Sequence, residues 1–359
     1  MKISLRKIVS IRNMTLIQNM FGFYHKFTDN RAIGVLLKIF CGFYSLFLSF
    51  LCINCTPRFT NDFLTYDIFF FVIEYLTSVL VCLLYDGQYF LNYLYDLKLI
   101  DREAGIEESL EKLPISQPLF SLIFITRVIY LLSCLLMFDG IKDSLFLPAQ
   151  SSVFGANFTE FARTIGYFPR VIMFEMFYKR VNYLKSQLRN DLAHANLYPI
   201  GFVCSKVIMK YINFYKLLLR NLQQNSLQFK ILMSMSSLYI IIKALASAYA
   251  FIYREDGVHV FIFIEFATGV FLFFVMSSII ISIFNEIEDI RQIVLAQLRY
   301  CKQGANTKRV QDALTILNIR CFKYALCRIY TVDFTFILRI LDVSVTYVIV
   351  LVQFTHILD

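Results

Sequence analysis

The chain has 359 residues, 58% of them hydrophobic and only 17% charged, with a formal net charge of +9. Soluble domains carry about a quarter charged residues. Here the apolar residues, 38 Phe among them, gather in blocks long enough to cross a bilayer, which excludes an ordinary soluble domain and points to an all-α, multi-pass membrane protein.

Residues 1–31 are basic and polar and hold no apolar core of a cleavable signal. Seven spans follow, at 35–54, 67–85, 119–138, 161–178, 229–253, 258–284 and 334–357. Each is near the ~20 residues that a helix needs to cross the hydrocarbon core. The fourth is the least apolar, because it holds Arg163, Pro169, Arg170 and Glu175. Such a helix is tolerable only where neighbouring helices cover it.

Lys and Arg crowd into the N-terminal segment and the second, fourth and sixth loops. The first, third and fifth loops hold Arg58, Lys142 and Arg254 alone. By the positive-inside rule the N-terminus is expected in the cytoplasm and the C-terminus outside. This is opposite to a G-protein-coupled receptor, whose Asp-Arg-Tyr and Asn-Pro-x-x-Tyr motifs are also absent. With its basic residues spread over loops, the chain is not expected to bind nucleic acid, and its outer helical surface meets membrane lipid.

The fourth and sixth loops carry apolar stripes at helical spacing. Val181, Leu184, Leu188 and Leu192 form one; Ile287, Ile290, Val294 and Leu298, then Leu314 and Leu317, form the other. They predict helices that continue the spans into a cytoplasmic bundle joining subunits, or else basic helices lying on anionic lipid. No internal repeat of the transporter kind is visible.

The sequon Asn157-Phe158-Thr159 falls in the predicted third, external loop and is a candidate glycosylation site. Nine cysteines lack metal or disulfide spacing. Cys52, Cys55 and Cys134 lie near outer helix ends, where one disulfide is conceivable, but free buried thiols are the expectation. The four His sit in no catalytic or metal motif. No enzyme activity, metal or cofactor is expected.

Ionisable residues fall at middle or outer membrane depth in several spans: Glu74, Arg127, Arg163, Arg170, Lys243 and Glu265. Glu74, Lys243 and Glu265, with Tyr239, Tyr249 and Phe266 on the same helices, could form the floor and walls of a ligand pocket. A Lys243–Glu265 or Lys243–Glu74 pair could equally serve only to tie helices together. Such a pocket suits a neutral or cationic plant compound, or a sugar.

The last span holds Thr346-Tyr347, five apolar residues, then Gln353-Phe354. An amide there must face protein, water or a pore. On a helix Gln353 shares a face with Thr346, Ile349, Val350 and Ile357. Gln353 could supply a polar pore ring, with Val350 and Phe354 as gate candidates, or could bond to a neighbouring helix. Asp333 and Asp342, with Arg339 between them, predict an ion pair or an anchor contact at the inner end of that span.

This run, together with Ala325-Leu326-Cys327-Arg328-Ile329-Tyr330-Thr331-Val332-Asp333 before it, resembles the signature of the insect gustatory receptors, relatives of the insect odorant receptors. Cys327 and Asp333 match that family's Cys-Gly-x-Phe-x-x-Asp stretch, whereas Arg328 replaces the Gly. The resemblance implies a tetrameric, non-selective cation channel of the cell membrane, made with identical or related subunits and opened by a small tastant. It further implies a pore lined by the seventh helix and an anchor that includes Cys327 and Asp333. On that reading 1–284 is the sensing bundle, with 179–228 contributing to the anchor, and 285–359 is anchor and pore. The absence of long external loops tilts the ligand toward a bitter compound. A receptor acting through a separate transducer and a carrier are the alternatives.

Overall fold

The computed structural model describes residues 11–26, 30–54, 62–85, 87–106, 113–139, 147–195, 201–224, 226–252, 258–299, 304–319, 322, 325–326, 330–331 and 334–358. Their helices are α1 (Ile11–Met20), α2 (Arg31–Asn54), α3 (Asp62–Leu84), α4 (Gln88–Ala104), α5 (Ser116–Asp139) and α6 (Leu147–Ala195). Then come α7 (Gly201–Gln224), α8 (Ser226–Ile252), α9 (Val258–Leu298), α10 (Ala305–Ile319) and α11 (Phe334–Leu358). Two short strands, β1 (Ala325–Leu326) and β2 (Tyr330–Thr331), pair antiparallel with Ala325 opposite Thr331, on either side of Cys327.

The seven predicted spans fall on α2, α3, α5, α6, α8, α9 and α11, of which α6 and α9 run well past theirs. Arg31–Ile53, Leu227–Ala248 and Glu265–Leu298 are long and apolar enough to cross a membrane unaided. Ile68–Leu84 and Tyr89–Ala104 satisfy that test only as a pair bent by 56°. α5 adds a shorter apolar stretch, Ser116–Ile129. α6 carries charges that pair with one another and with Glu74 of α3.

α6 is the central post. It packs against α2, α3, α5, α7 and α9, while α11 leans chiefly on α8 and α9. Its Pro169 has no N–H, so the carbonyl of Ile165, four residues earlier, loses its helical partner. Gln18 of α1 fills that place, donating from Nε2 to the Ile165 oxygen at 3.1 Å.

Residues 11–26, part of the basic and polar N-terminal segment, therefore pack into the bundle. Met14, Thr15, Gln18 and Asn19 of α1 are buried, as are Phe21, Phe23, Tyr24 and His25. The Tyr75 hydroxyl on α3 donates to the Phe21 carbonyl at 2.9 Å. The Phe21 ring lies 4.9 and 5.0 Å from those of Phe158 and Phe161 on α6. Gly166 admits the Phe23 ring, because a Cβ there would stand 2.6 Å from it. Gly22 has φ +88°, and a side chain there would collide with Ser45.

Glu175, a charge without an evident role in the sequence, closes the start of α5. It accepts from the backbone N–H groups of Ile115 and Ser116, each at 2.8 Å, and from the Ser116 hydroxyl. A carboxylate there satisfies free N–H groups and faces the positive end of the helix dipole.

Past the apolar zone, α6 and α9 continue as single helices of 49 and 41 residues, so residue 285 falls within unbroken helix. Val181, Leu184, Leu188 and Leu192 are buried, as are Ile287, Ile290, Val294, Leu314 and Leu317. Both stripes thus pack inside this chain and not on lipid. Lys185 joins the two extensions through Glu286 and, at 3.1 Å, Asp289. The Glu286 carboxylate beside its ammonium raises the Lys185 pKa, with Asp289 adding to it. Arg180, almost fully buried, grips Asp101 of α4 through Nε and Nη2, at 2.9 and 2.5 Å.

Helix α6 begins fourteen residues before the predicted fourth span, so the sequon does not sit in a loop. Asn157 is helical, and Thr159 is fully buried. An acceptor tripeptide in that setting lacks the exposed, extended shape expected of a glycosylation site. Cys41 and Cys82 are free and buried, and Cys52 is buried. Cys55 and the side chain of Cys134 lie outside the described residues.

Candidate functional site

Five helices bring their ionisable side chains to one place. On α6, Glu160, Arg163, Tyr167 and Arg170 repeat every three or four residues and so share a face. Ser236, Tyr239 and Lys243 do the same on α8. α3 contributes Glu74 and α9 contributes Glu265, and Arg127 of α5 approaches from the side. All of these are buried.

Arg163 is the hub. It donates to Glu160 through Nε at 2.9 Å and Nη2 at 2.6 Å, a two-pronged bond that a planar guanidinium favours. Its third nitrogen, Nη1, reaches Glu74 at 3.3 Å. Glu74 accepts on its other oxygen from the Ser236 hydroxyl at 2.5 Å. Ser236 in turn accepts from Arg170 at 2.7 Å. Arg170 also donates to the Leu232 carbonyl at 3.2 Å and lies over the Tyr167 ring at 4.5 Å. Arg127 Nη2 stands 3.6 Å from Glu160. Lys243 pairs with Glu265 at 2.5 Å.

Tyr239 links the two halves. Arg163 lies 4.4 Å from its ring centroid and Lys243 5.8 Å. Its ring also packs against Phe71, beside Cys52 and Val72. In an apolar interior each such charge would be costly alone, so the pairs hold α3, α5, α6, α8 and α9 in register.

Of the predicted pocket residues, Glu74, Tyr239, Lys243 and Glu265 are brought together, and Phe266, beside Glu265 in sequence, is half-buried against the core. The side chain of Tyr249 lies outside the described residues. The pair anticipated for Lys243 is with Glu265, while Glu74 belongs to Arg163. Glu160 and Ser236 were missed. The spacing Glu160-x-x-Arg163 is a legible signal for an intrahelical pair, whereas nothing local marks one serine among many.

The predicted pore residues lie on α11. Thr346, Val350 and Gln353 are exposed, with Val345, Tyr347 and Ile349 beside them, because α11 packs chiefly on one side. The Thr346 hydroxyl donates to the Asp342 carbonyl at 2.8 Å. Arg339 and Asp342 are both exposed. The ion pair expected near them is not formed among the described residues. Asp333, Cys327 and the side chains of Phe354 and Ile357 lie outside that set.

Residues 88–356 match the sequence profile of the 7tm chemosensory receptor family. The chain belongs to that family. The receptor's fold is similar to that of the insect olfactory receptor OR5 from Machilis hrabei. The likeness covers 98% of this chain and 99% of that one, at a TM-score of 0.66 and 12% identity. The structure of OR5 in complex with eugenol is similar over the same shares, with a TM-score of 0.63 and 11% identity. No curated protein matches the receptor's sequence.

Proposed function

We propose that the receptor is a gustatory receptor of the cell membrane, a non-selective cation channel opened by a small tastant. The carrying observation is the pairing of an exposed face on α11, with Thr346, Val350 and Gln353 in one row, and a buried ion cluster elsewhere in the bundle. Four copies around an axis would turn that row into alternating polar and apolar rings. Apolar rings close a pore by dewetting, and an amide ring steadies a partly hydrated cation.

The charge asymmetry between loops supports a cytoplasmic N-terminus and an external C-terminus. Under that orientation the buried cluster on α3, α5, α6, α8 and α9 lies in the membrane's middle and outer part and is the candidate ligand site. The extensions of α6 and α9, with α7 and α10, form the cytoplasmic anchor, and the partners are identical or related subunits. Residues 1–284 then sense, and 285–359 anchor and conduct, coupled mechanically by the unbroken α9. OR5 is described in complex with eugenol, which supports a small organic molecule as the ligand here.

The test is recording from excised patches of cells expressing the receptor, beside Gln353→Ala. Ligand-evoked unitary steps without cytosol, with conductance or selectivity altered by the substitution, are expected. Currents that need an added soluble transducer would overturn the channel reading.

A further inference from the structure

The buried cluster is electrically unbalanced, and this inference rests on reading it as the ligand site. Among the described residues it holds four cations, Arg127, Arg163, Arg170 and Lys243, and three carboxylates, Glu74, Glu160 and Glu265. Lys243 takes up Glu265, and Arg163 takes up both Glu160 and Glu74. Arg127 then shares a carboxylate that Arg163 already holds, and Arg170 reaches Glu74 only through Ser236. A guanidinium does not release its proton in a protein. Among the described residues a surplus positive charge therefore sits in apolar surroundings, where an uncompensated charge is costly.

The unmet polar atoms agree in kind. Arg127 Nη2, Arg170 Nε and the Tyr239 hydroxyl are buried without a hydrogen-bond partner. Each belongs to a residue at most 7% exposed. All three are donors. Arg127 and Tyr239 border the same Arg163–Glu160 pair, one 3.6 Å from Glu160 and the other with its ring 4.4 Å from the Arg163 guanidinium. A cationic ligand would deepen the surplus, and a neutral one would leave it. A carboxylate would cancel it and accept from the free donors.

We propose that the ligand is a small organic acid, its carboxylate received by Arg127 and the Tyr239 hydroxyl and held in the field of Arg170. This departs from the neutral or cationic ligand that the sequence suggested, because Glu74 and Glu265 are already neutralised within the protein.

The experiment is thermal melting of the purified full-length receptor in detergent micelles with acetate and benzoate, against acetamide and benzamide at equal pH and ionic strength. The acids are expected to raise the Tm and the amides to leave it unchanged. Tyr239→Phe is expected to keep or raise the ligand-free Tm, since it removes an unmet hydroxyl and leaves the ring in place, whereas Arg127→Gln gives up the contact with Glu160 and is expected to lower it. Each should raise the half-saturating acid concentration tenfold or more. Equal shifts from acid and amide, no shift from either acid, or an undiminished acid response in both variants would overturn the proposal. Excised-patch currents with the same compounds separate it from the channel reading. An acid-specific melting shift without current keeps the site and removes the channel. Currents evoked by neutral compounds, with no acid-specific shift, do the reverse.

Discussion

Gln18 Nε2 donates to the Ile165 carbonyl at 3.1 Å, the carbonyl that Pro169 cannot bond. A segment that is basic and polar in composition thus completes the central helix of the bundle. Gln18→Ala should leave that oxygen buried and unmet, a loss of about 1–3 kcal/mol. In a Pro169→Ala background the helix regains its own N–H at residue 169, and the same substitution should cost about 1 kcal/mol less. Unfolding titrations of the four proteins in mixed micelles measure the coupling, and zero coupling would mean that Gln18 acts through something other than this carbonyl.

His25 lies at the foot of the same segment, outside the spans, with its backbone N–H donating to Asn19 Oδ1 at 2.7 Å and its ring against the Gly87 backbone. Burial pushes its pKa from 6.5 down to about 4, and the neighbouring Gly87 backbone opposes this only in part. Between those values the unfolded chain carries a proton that the folded chain refuses. Stability contributed by the neutral ring is therefore complete above pH 6.5 and lost as the pH falls, by about 1.4 kcal/mol per unit. Melting temperature followed from pH 7 to 4.5 should drop more steeply in the wild type than in His25→Gln. Parallel curves would show that His25 is not the group responsible.

Sequence periodicity located the spans because a bilayer imposes a length and a hydropathy on each of them, and it located the extensions because Val181, Leu184, Leu188 and Leu192 repeat at helical spacing. The ionisable residues of the site were visible for a related reason. A charge inside an apolar block, such as Lys243 or Glu265, stands out against its neighbours. The pairing was not legible, since which carboxylate meets which cation depends on how α3, α6, α8 and α9 rotate about their axes. The N-terminal segment was missed because Gln18 and Asn19 look solvated in one dimension. Their partners, Ile165 and His25, become apparent only when α6 and the Gly22 turn are in place.

Asp101 and Arg180 tie α4 to α6 beyond the apolar zone, with Arg180 almost fully buried and bonded also to the Met176 carbonyl at 3.0 Å. Removing one partner of a buried pair strands the other charge. Asp101→Asn should cost about 3–5 kcal/mol and loosen the outer turns of α4. Amide hydrogen exchange is the measurement, with protection expected to fall along 88–104. A loss confined to residue 101 and its neighbours would show that the pair is local and does not hold the helix.

Lys243 and Glu265 join α8 to α9 at 2.5 Å with both side chains buried. α8 also carries Ser236 and Tyr239, so this pair sets the rotation at which that helix meets Arg163 and Arg170. Lys243→Met leaves an unmatched carboxylate and should cost about 3–5 kcal/mol, whereas Lys243→Met with Glu265→Leu removes both charges and should recover most of it. Function separates the two roles that the pair could have. If it only fastens helices, the double variant should restore ligand-evoked current along with stability. If Lys243 also tunes the field at the cluster, the double variant should fold well yet respond to ligand at an altered concentration, because Tyr239 loses the cation 5.8 Å from its ring. Full recovery of both stability and sensitivity would confine Lys243 to helix packing.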